Sequence, residues 1–248
     1  IDDVMGVIEI LSSRREYTKI NPCVVLLGKG DHQINSSSTL PGFGNRLTTL
    51  GITRSNITFV GSGKDTTTIN GGFVIDDFEN ITFKNMTVTN KSYQGVGIWM
   101  NNAKVELMDV ALKGCDSAAL CLPHTSSETT VVATRCEFAN SRRGAVLSGS
   151  LSSATFKNCV FHDNTSGIIG NMFSQFHDNT NCGICVSNKA TIHLHGEATA
   201  IHSNGGDGIL AMVWGKVVIH LPSHHNTIYN NGRDRFTTSG GTITNVEE

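Results

Sequence analysis

Short runs of alternating apolar and polar residues recur along the chain at nearly constant spacing. The runs are about three residues long and rich in β-branched and aromatic residues, which is typical of β-strands. One apolar residue closes a run in each repeat: Val88, Leu112, Phe138, Phe161, Ile201 and Ile228. Successive members of this series are 24, 26, 23, 40 and 27 residues apart. A period in the twenties indicates a solenoid.

Two kinds of solenoid have a repeat of this length, the leucine-rich horseshoe and the parallel β-helix. A horseshoe needs a leucine-rich scaffold and a helical outer side. Each repeat here instead contains three short strand-like runs, as at residues 81–83, 86–88 and 98–100. We therefore predict an all-β fold, a right-handed parallel β-helix of roughly seven to eight coils, with like positions stacked about 4.8 Å apart.

The whole chain, residues 1–248, is predicted to form a single β-helix domain. Residues 1–12 are expected to form a short helix that caps the apolar end of the solenoid, with Asp2 and Asp3 at its N-terminus. Four apolar residues would lie on one side of this helix: Val4, Val7, Ile8 and Leu11. Residues 230–248 are expected to close the other end.

Composition and charge narrow the range of functions. The formal net charge is −2 and no charge block occurs, which argues against nucleic acid as a partner. The chain has no run of 18 apolar residues, so no membrane span is expected, and no signal peptide is recognised. No motif predicts a cofactor or a resident metal ion. Gly61-Ser62-Gly63-Lys64-Asp65 lacks the full spacing of a phosphate loop and is interpreted as a turn between strands.

The seven cysteines lack the spacing of a disulfide framework. Their odd number favours a reducing compartment, either inside a cell or within a virion. Cys136 and Cys159 occupy the same place in successive repeats and are expected to stack in the core as free thiols. Cys182 and Cys185 have the C-x-x-C spacing of redox pairs and zinc sites, but without a second such pair a structural role is favoured.

Three segments carry a resemblance to a known superfamily: VVLLGKGDHQI (24–34), SNITFVGSGKDTTTING (55–71) and CVFHDNTSGI (159–168). They resemble the pectin-lyase-like right-handed parallel β-helix superfamily, and most closely the right-handed β-helix repeat proteins of algae, protists and their large DNA viruses. The resemblance extends over nearly the whole chain and implies the fold. It constrains function less, because the superfamily includes lyases, glycosidases, epimerases, sugar-binding modules and virion spikes.

The most distinctive polar motif follows the third strand of a repeat. The sequence FHDNT at residues 161–165 recurs at 176–180, and IHSN at 201–204 takes the same place one coil on. The candidate catalytic residues of this His/Asp edge are His162, Asp163, His177, Asp178 and His202. Stacked in register, they would provide a histidine base oriented by an acid, or metal ligands. The alternative is a polar bend whose side chains bond to the loop backbone.

A second histidine group lies close to the C-terminal end: His193, His195, His220, His224 and His225. If the intervening Ile and Leu residues point inward, His195 and His220 point outward on neighbouring coils. A solvated strand face explains this arrangement. Glu197 nearby leaves acid–base chemistry or a metal site as alternatives.

An apolar stripe is predicted on the outward side of one sheet: Val74, Trp99, Cys121, Cys185 and Leu210. Such a stripe either is covered or binds something. In the ligand-binding interpretation, Trp99 stacks on a sugar ring and neighbouring loops bind its hydroxyl groups through Asn101, Asn102, His124 and Ser148. A loop packed across the stripe, a protein partner or self-association through it are the alternatives.

The superfamily's enzymes have catalytic motifs that are mostly missing here. Of the polygalacturonase motifs only Asp76-Asp77 is present, and Leu122-Pro123-His124 lacks the acid of the epimerase motif. We therefore predict a non-catalytic β-helix module, either carbohydrate-binding or a structural part of a virion or cell-surface assembly. The alternative is a carbohydrate-active enzyme, a polysaccharide lyase, glycosidase or epimerase, that uses the His/Asp edge.

Overall fold

The computed structural model describes residues 1–38, 47–124, 127–164, 182–196, 199–221 and 227–247. Within these residues the chain forms one helix, α1 (Val4–Ser12), and twenty-four strands. The first twelve strands are β1 (Cys23–Leu26), β2 (Gly30–Gln33), β3 (Ser37–Ser38), β4 (Leu47–Ile52), β5 (Ile57–Val60), β6 (Thr67–Asn70), β7 (Gly72–Asp76), β8 (Ile81–Thr89), β9 (Ile98–Asn101), β10 (Lys104–Lys113), β11 (Ala118–Leu122) and β12 (Thr129–Thr134). The remaining strands are β13 (Glu137–Ala139), β14 (Arg143–Ser148), β15 (Ser152–Lys157), β16 (Val160–His162), β17 (Ile184–Ser187), β18 (Thr191–His195), β19 (Ala200–His202), β20 (Asp207–Ala211), β21 (Lys216–Leu221), β22 (Thr227–Tyr229), β23 (Arg233–Thr237) and β24 (Thr242–Glu247).

These strands wind into an all-β parallel solenoid, as predicted. Each turn contributes one strand to each of three faces. Face A contains β1, β5, the first half of β8, the first half of β10, β12, β15, β18, β21 and β24. Face B contains β2, β6, the second halves of β8 and β10, β13, β16, β19 and β22. Face C contains β4, β7, β9, β11, β14, β17, β20 and β23, with β3 antiparallel to β4.

The repeat found in the sequence corresponds to one column of the core. On face B, Val88 pairs with Leu112, Leu112 with Phe138, and Phe138 with Phe161. The column continues through Ile201 and Ile228. The Phe138 and Phe161 rings stack with centroids 4.6 Å apart. Each such ring, removed from water, contributes on the order of 1.5–3 kcal/mol, so the apolar column is a main source of the solenoid's stability.

A ladder of amide side chains fills the corner between face B and face C. Asn164 Nδ2 donates to the Phe138 carbonyl, 3.0 Å away, and to Asn204 Oδ1, also 3.0 Å away. Asn204 repeats this one coil later by donating to the Phe161 carbonyl and to Asn231 Oδ1. Because Asn164 and Asn204 are buried, these bonds give their amide groups hydrogen-bond partners and link the corners of successive coils.

The N-terminal helix forms as predicted, but its details differ. Asp3 precedes it without a capping hydrogen bond from its side chain. Asp2 instead accepts backbone N–H bonds from Asn35 and Ser36 of the first coil, at 2.9–3.0 Å. These bonds hold the pKa of Asp2 at about 2 although partial desolvation acts in the opposite direction. The Asp2 carboxylate thus anchors the helix to the solenoid and does not cap it.

The buried side of α1 also differs from the prediction. Met5 and Ile8 are buried in the core, whereas Val7 and Leu11 are exposed. Positions 5 and 8 are three residues apart and share a helix face, and Val4 packs only partly against the core. The contact surface is therefore narrower than a four-residue stripe, because α1 lies on the edge of the first coil.

At the other end, β23 and β24 extend faces C and A as parallel strands in register. Their role in closing the solenoid stays a prediction. Among the described residues, no helix combines the length and apolar character needed to cross a membrane.

Candidate functional site

The His/Asp edge lies where face B ends, on the outward side of β16 and β19. His162 pairs in register with His202, and His202 pairs with Tyr229. The His162 and His202 rings stack with centroids 5.3 Å apart, and the His202 and Tyr229 rings do so at 5.0 Å. Two members of the predicted histidine column, His162 and His202, are therefore stacked. His177 and Asp178 lie outside the described residues.

Two carboxylates contact His162. Asp163, held in the left-handed backbone region at φ 52°, places Oδ2 2.7 Å from His162 Nδ1. Glu137, one coil earlier on β13, places Oε1 3.2 Å from His162 Nε2. Sequence reasoning missed Glu137, although its place directly before Phe138 in the repeat puts it one coil from Val160.

The electrostatics of this edge favour a charged imidazole. The hydrogen bond with Glu137 raises the pKa of His162 above its ordinary value of 6.5, against partial desolvation, and Asp163 adds to the rise. The same bond lowers the pKa of Glu137 below 4.5. Burial and the nearby His162 charge lower the pKa of His202. Both nitrogens of His162 are occupied by carboxylates, so this ring has no nitrogen directed at a substrate and is a poor general base in this arrangement.

The second histidine group lies on face A. Ile192, Leu194 and Ile219 point inward and are buried, as predicted. His193, His195 and His220 lie on the outward side, each partly exposed, with one imidazole nitrogen of each within 4.8 Å of the other two. Partial burial and the charge of His220 lower the pKa of His193. Among the described residues, the donor atoms of this group are close enough together to hold a metal ion. Glu197, His224 and His225 lie outside the described residues.

The apolar stripe is the outward column of face C. In register it runs through Val74, Trp99, Cys121, Val146, Cys185, Leu210 and Phe236. Trp99 is only 2 % exposed, and Leu210 is fully buried. Val96, Ala118, Cys182 and Met212 pack in the same cluster. The covered-stripe alternative therefore describes this structure, and the Trp99 ring presents no open face to a sugar or a protein.

The polar residues predicted beside Trp99 do not converge on one open site. Asn101 and Asn102 donate their Nδ2 groups to Asp76 and Asp77, each at 2.8 Å. Ser148 is fully buried and accepts a bond from Asn188 Nδ2 at 2.7 Å. His124 is exposed, just after β11. Asp76 and Asp77, the remnant of a polygalacturonase-like motif, thus have amide partners on the neighbouring coil.

The cysteines are free and buried, all seven of them. Cys136 and Cys159 stack in adjacent coils, where Val160 N–H donates to the Cys136 carbonyl at 2.9 Å. Burial raises the pKa of Cys115 to about 11 and that of Cys121 to about 12. Cys182 and Cys185 lie in the apolar cluster of face C, in agreement with a structural role. Residues 61–63 form the turn between β5 and β6, as predicted.

Sequence reasoning also missed Trp214, the second tryptophan of the chain. It lies at the corner between face C and face A, and it is 66 % exposed. Val213 and Trp214 both adopt left-handed backbone conformations, at φ 47° and 63°. Such angles are rare for a β-branched residue and cost on the order of 1–3 kcal/mol each. The available signal was the turn VWGK, in which an aromatic residue directly precedes glycine.

Stacked coils hold this corner in place. Trp214 N–H donates to the Ser239 carbonyl at 3.1 Å, and Lys189 N–H donates to the Val213 carbonyl at 3.2 Å. Gly240 lies directly against the indole ring, so that a Cβ there would come within 2.5 Å of it. Lys189 is exposed, and its backbone bonds to Val213; Lys216 is exposed two residues after Trp214. The corner thus presents an aromatic side chain in a fixed backbone, with two exposed lysines nearby along the chain and on the preceding coil.

The family model described as right handed beta helix region matches residues 95–247, more than half of the chain. No curated protein and no solved structure matched the chain.

Proposed function

Because the chain belongs to the right-handed β-helix family, we propose that it is a non-catalytic β-helix module that binds carbohydrate. The single observation that carries this proposal is the exposed Trp214, held at a strained corner of a rigid solenoid. Backbone strain is retained where the surroundings enforce it, and it clusters at ligand-binding sites. A fixed, exposed aromatic ring provides a stacking surface at low cost in side-chain entropy.

The neighbouring groups favour an acidic polysaccharide. Lys189 is exposed on the coil that precedes Trp214, and Lys216 follows two residues later. Ammonium groups donate hydrogen bonds to carboxylates and hydroxyls. Asn188, held by Ser148 at 2.7 Å, lies next to Lys189 and offers an amide to the same ligand. Ser148 then positions a ligand-binding residue instead of touching the sugar itself.

The non-catalytic part of the proposal is supported by the His/Asp edge. Both nitrogens of His162 contact carboxylates, and a proton-transfer group needs one nitrogen within reach of the substrate. The pectin-lyase-like likeness, an algal or viral origin and a role in a virion or cell-surface assembly remain predictions from the resemblance.

Affinity electrophoresis and calorimetry with uronic-acid polymers and neutral polysaccharides test the proposal. We expect binding of at least one uronic-acid polymer, and a loss of about tenfold or more in affinity for Trp214→Ala, which corresponds to about 1.4 kcal/mol. Tyr93→Ala is the matched control, because Tyr93 is another exposed aromatic residue, 58 % exposed, and should leave affinity unchanged.

Two results would overturn the proposal. If Trp214→Ala binds a polymer as tightly as the wild type does, Trp214 is not part of the binding site. If the wild type binds none of the polymers, the carbohydrate-binding function is wrong and the structural alternative is favoured. A catalytic role is tested in the same samples by following the absorbance of new double bonds and the release of reducing ends. If the wild type forms product and His162→Gln does not, the enzyme alternative is established instead.

A further inference from the structure

Three imidazoles converge on the outer surface of face A, away from the Trp214 corner and the His/Asp edge. His193 and His195 are two residues apart on β18, so they share the outward side of one strand. His220 belongs to β21, whose residues 216–219 pair with residues 191–194 of β18. That register places His220 beside His195. Three side chains from two adjacent strands therefore meet at one place.

Their nitrogens lie at distances suited to sharing an ion. His193 Nδ1 and His220 Nε2 are 2.9 Å apart, a hydrogen-bond distance. The His195 and His220 rings stack with centroids 3.8 Å apart. Two nitrogens bound to one tetrahedral zinc, each at about 2.1 Å, are about 3.4 Å apart. One nitrogen of each ring lies within 4.8 Å of those of the other two, so rotation of the stacked rings about their side-chain torsions is what directs the three lone pairs to one ion.

The hydrogen bond between His193 and His220 also favours a shared metal site. Two imidazoles can share it only when one nitrogen carries a proton and the other presents its lone pair. A metal ion receives both lone pairs once the donor ring, if neutral, carries its proton on its other nitrogen by tautomerisation, with no net proton release; if that ring is an imidazolium, one proton is released to solvent. The backbone already holds the ligands, because β18 and β21 are paired strands inside a rigid solenoid, so binding costs little conformational entropy.

The surrounding outward positions limit which ions fit. Thr155 pairs with His193 and Lys157 with His195 on the preceding strand, and Val218 pairs with His193 on the following one. None of these three residues supplies a carboxylate, so within the part of the chain that the structure describes the donor set consists of imidazoles. Imidazole favours zinc, nickel, cobalt and copper, whereas magnesium and calcium prefer oxygen ligands.

We propose that His193, His195 and His220 together bind one divalent transition-metal ion on face A, with its remaining coordination position open to water or to an anionic ligand. Three protein ligands and an open position are the arrangement of zinc sites that retain a bound water. None of the three proposed ligands is among the residues proposed to bind carbohydrate, so either proposal can fail without the other.

Titration of the chelator-treated chain with Ni²⁺ and Zn²⁺, followed by calorimetry, tests the site. We expect one equivalent to bind, with no binding of Mg²⁺. His193→Ala and His220→Ala should each weaken binding by at least tenfold, and the double variant should abolish it. His32→Gln and His162→Gln, which change histidines elsewhere on the solenoid, are the matched controls and should bind as the wild type does.

A second readout separates imidazole ligands from the seven buried cysteines. Co²⁺ bound through imidazole gives only weak visible bands, whereas thiolate ligands add an intense charge-transfer absorption in the near ultraviolet. We expect the weak bands alone. Charge-transfer absorption, or an equivalent of metal that persists in the double variant, would overturn the proposal.

The variant Lys157→Gln distinguishes a direct effect on metal binding from a loss of binding caused by misfolding. Lys157 pairs with His195 in register, so removing its positive charge should tighten metal binding several-fold. A gain of affinity cannot result from a damaged fold. An unchanged affinity in this variant together with unchanged affinity in His193→Ala would refute the site, and circular dichroism of each variant verifies its fold.

Discussion

Two histidine groups lie on neighbouring faces of the same coils, and their surroundings give them opposite chemistry. At the edge of face B, His162 contacts the carboxylates of Glu137 and Asp163. On face A, His193 and His195 have Thr155 and Lys157 as neighbours on the preceding strand. The residue type is the same in both places. What differs is whether an acid of an adjacent coil reaches the ring.

The consequence is a difference in charge. The carboxylates raise the pKa of His162, chiefly through the bond with Glu137, so its imidazole tends to hold a proton. Partial burial and the proximity of His220 lower the pKa of His193, so its imidazole tends to be neutral with a lone pair available. A neutral imidazole binds metal, and an imidazolium between two carboxylates does not. Stacking alone therefore does not make a histidine column a catalytic or metal site.

The largest expected difference between the two groups is in metal-dependent stability. Free Ni²⁺ at about 100 times its dissociation constant should raise the free energy of unfolding by about 2.7 kcal/mol. The gain should vanish in the His193→Ala/His220→Ala variant and persist in His162→Gln. Urea unfolding with and without Ni²⁺ measures it. Ni²⁺ is preferred to zinc because thiolates of the unfolded chain bind zinc strongly and reduce the gain. If His162→Gln removes the gain in stability and the double variant does not, the metal site is at the edge of face B and not on face A.

An intermediate effect is expected from Glu137→Gln in the metal-free protein. The raised pKa of His162 contributes stability that is complete below pH 6.5 and is lost as the pH rises through the folded-state value. The lowered pKa of Glu137 contributes stability that is present above pH 4.5 and is lost as the pH falls through its folded-state value. The pair therefore stabilises the fold most between these two values.

Glu137→Gln should accordingly cost up to about 1 kcal/mol at about pH 5.5 and less at about pH 9, since the pair is partly exposed and screened by solvent. Urea unfolding at both pH values measures the loss, and the imidazole proton resonances should show a lower pKa for His162. Glu106→Gln, which changes an exposed acid of face A, should have little effect at either pH. An equal loss at both pH values would mean that packing, rather than charge, accounts for the contact.

The sequence predicts the solenoid well and its sites less well, and the reason is physical. Alternation and a repeat in the twenties report which residues face the core, and the column from Val88 through Phe161 follows from that alone. The pairing of His162 with His202 follows from the same register. Outward contacts are not encoded by period. Glu137 meets His162 diagonally between coils, and this contact depends on rotamers.

The two tryptophans illustrate the same limit. Strand alternation places Trp99 on the outward side of β9, and the structure agrees with that orientation. It does not reveal that other parts of the chain cover this side, leaving Trp99 only 2 % exposed. Trp214 lies at a corner, where alternation ends and left-handed backbone angles decide the direction of the side chain. Periodicity therefore identifies faces, whereas exposure depends on packing beyond the repeat.

The smallest expected effect comes from giving face A the acid that it lacks. Thr155 pairs with His193 in register, so in the metal-free protein Thr155→Glu places a carboxylate beside that ring, as Glu137 does for His162. We expect the pKa of His193 to rise, because an adjacent negative charge favours the imidazolium. The stability gained at about pH 5.5 should be only about 0.3 kcal/mol, since the position is partly exposed. Imidazole proton resonances followed against pH measure the shift, with Thr155→Gln as the uncharged control. If Thr155→Gln moves the pKa of His193 as far as Thr155→Glu does, then desolvation rather than charge controls this ring, and the carboxylates of face B do not explain its contrast with His162.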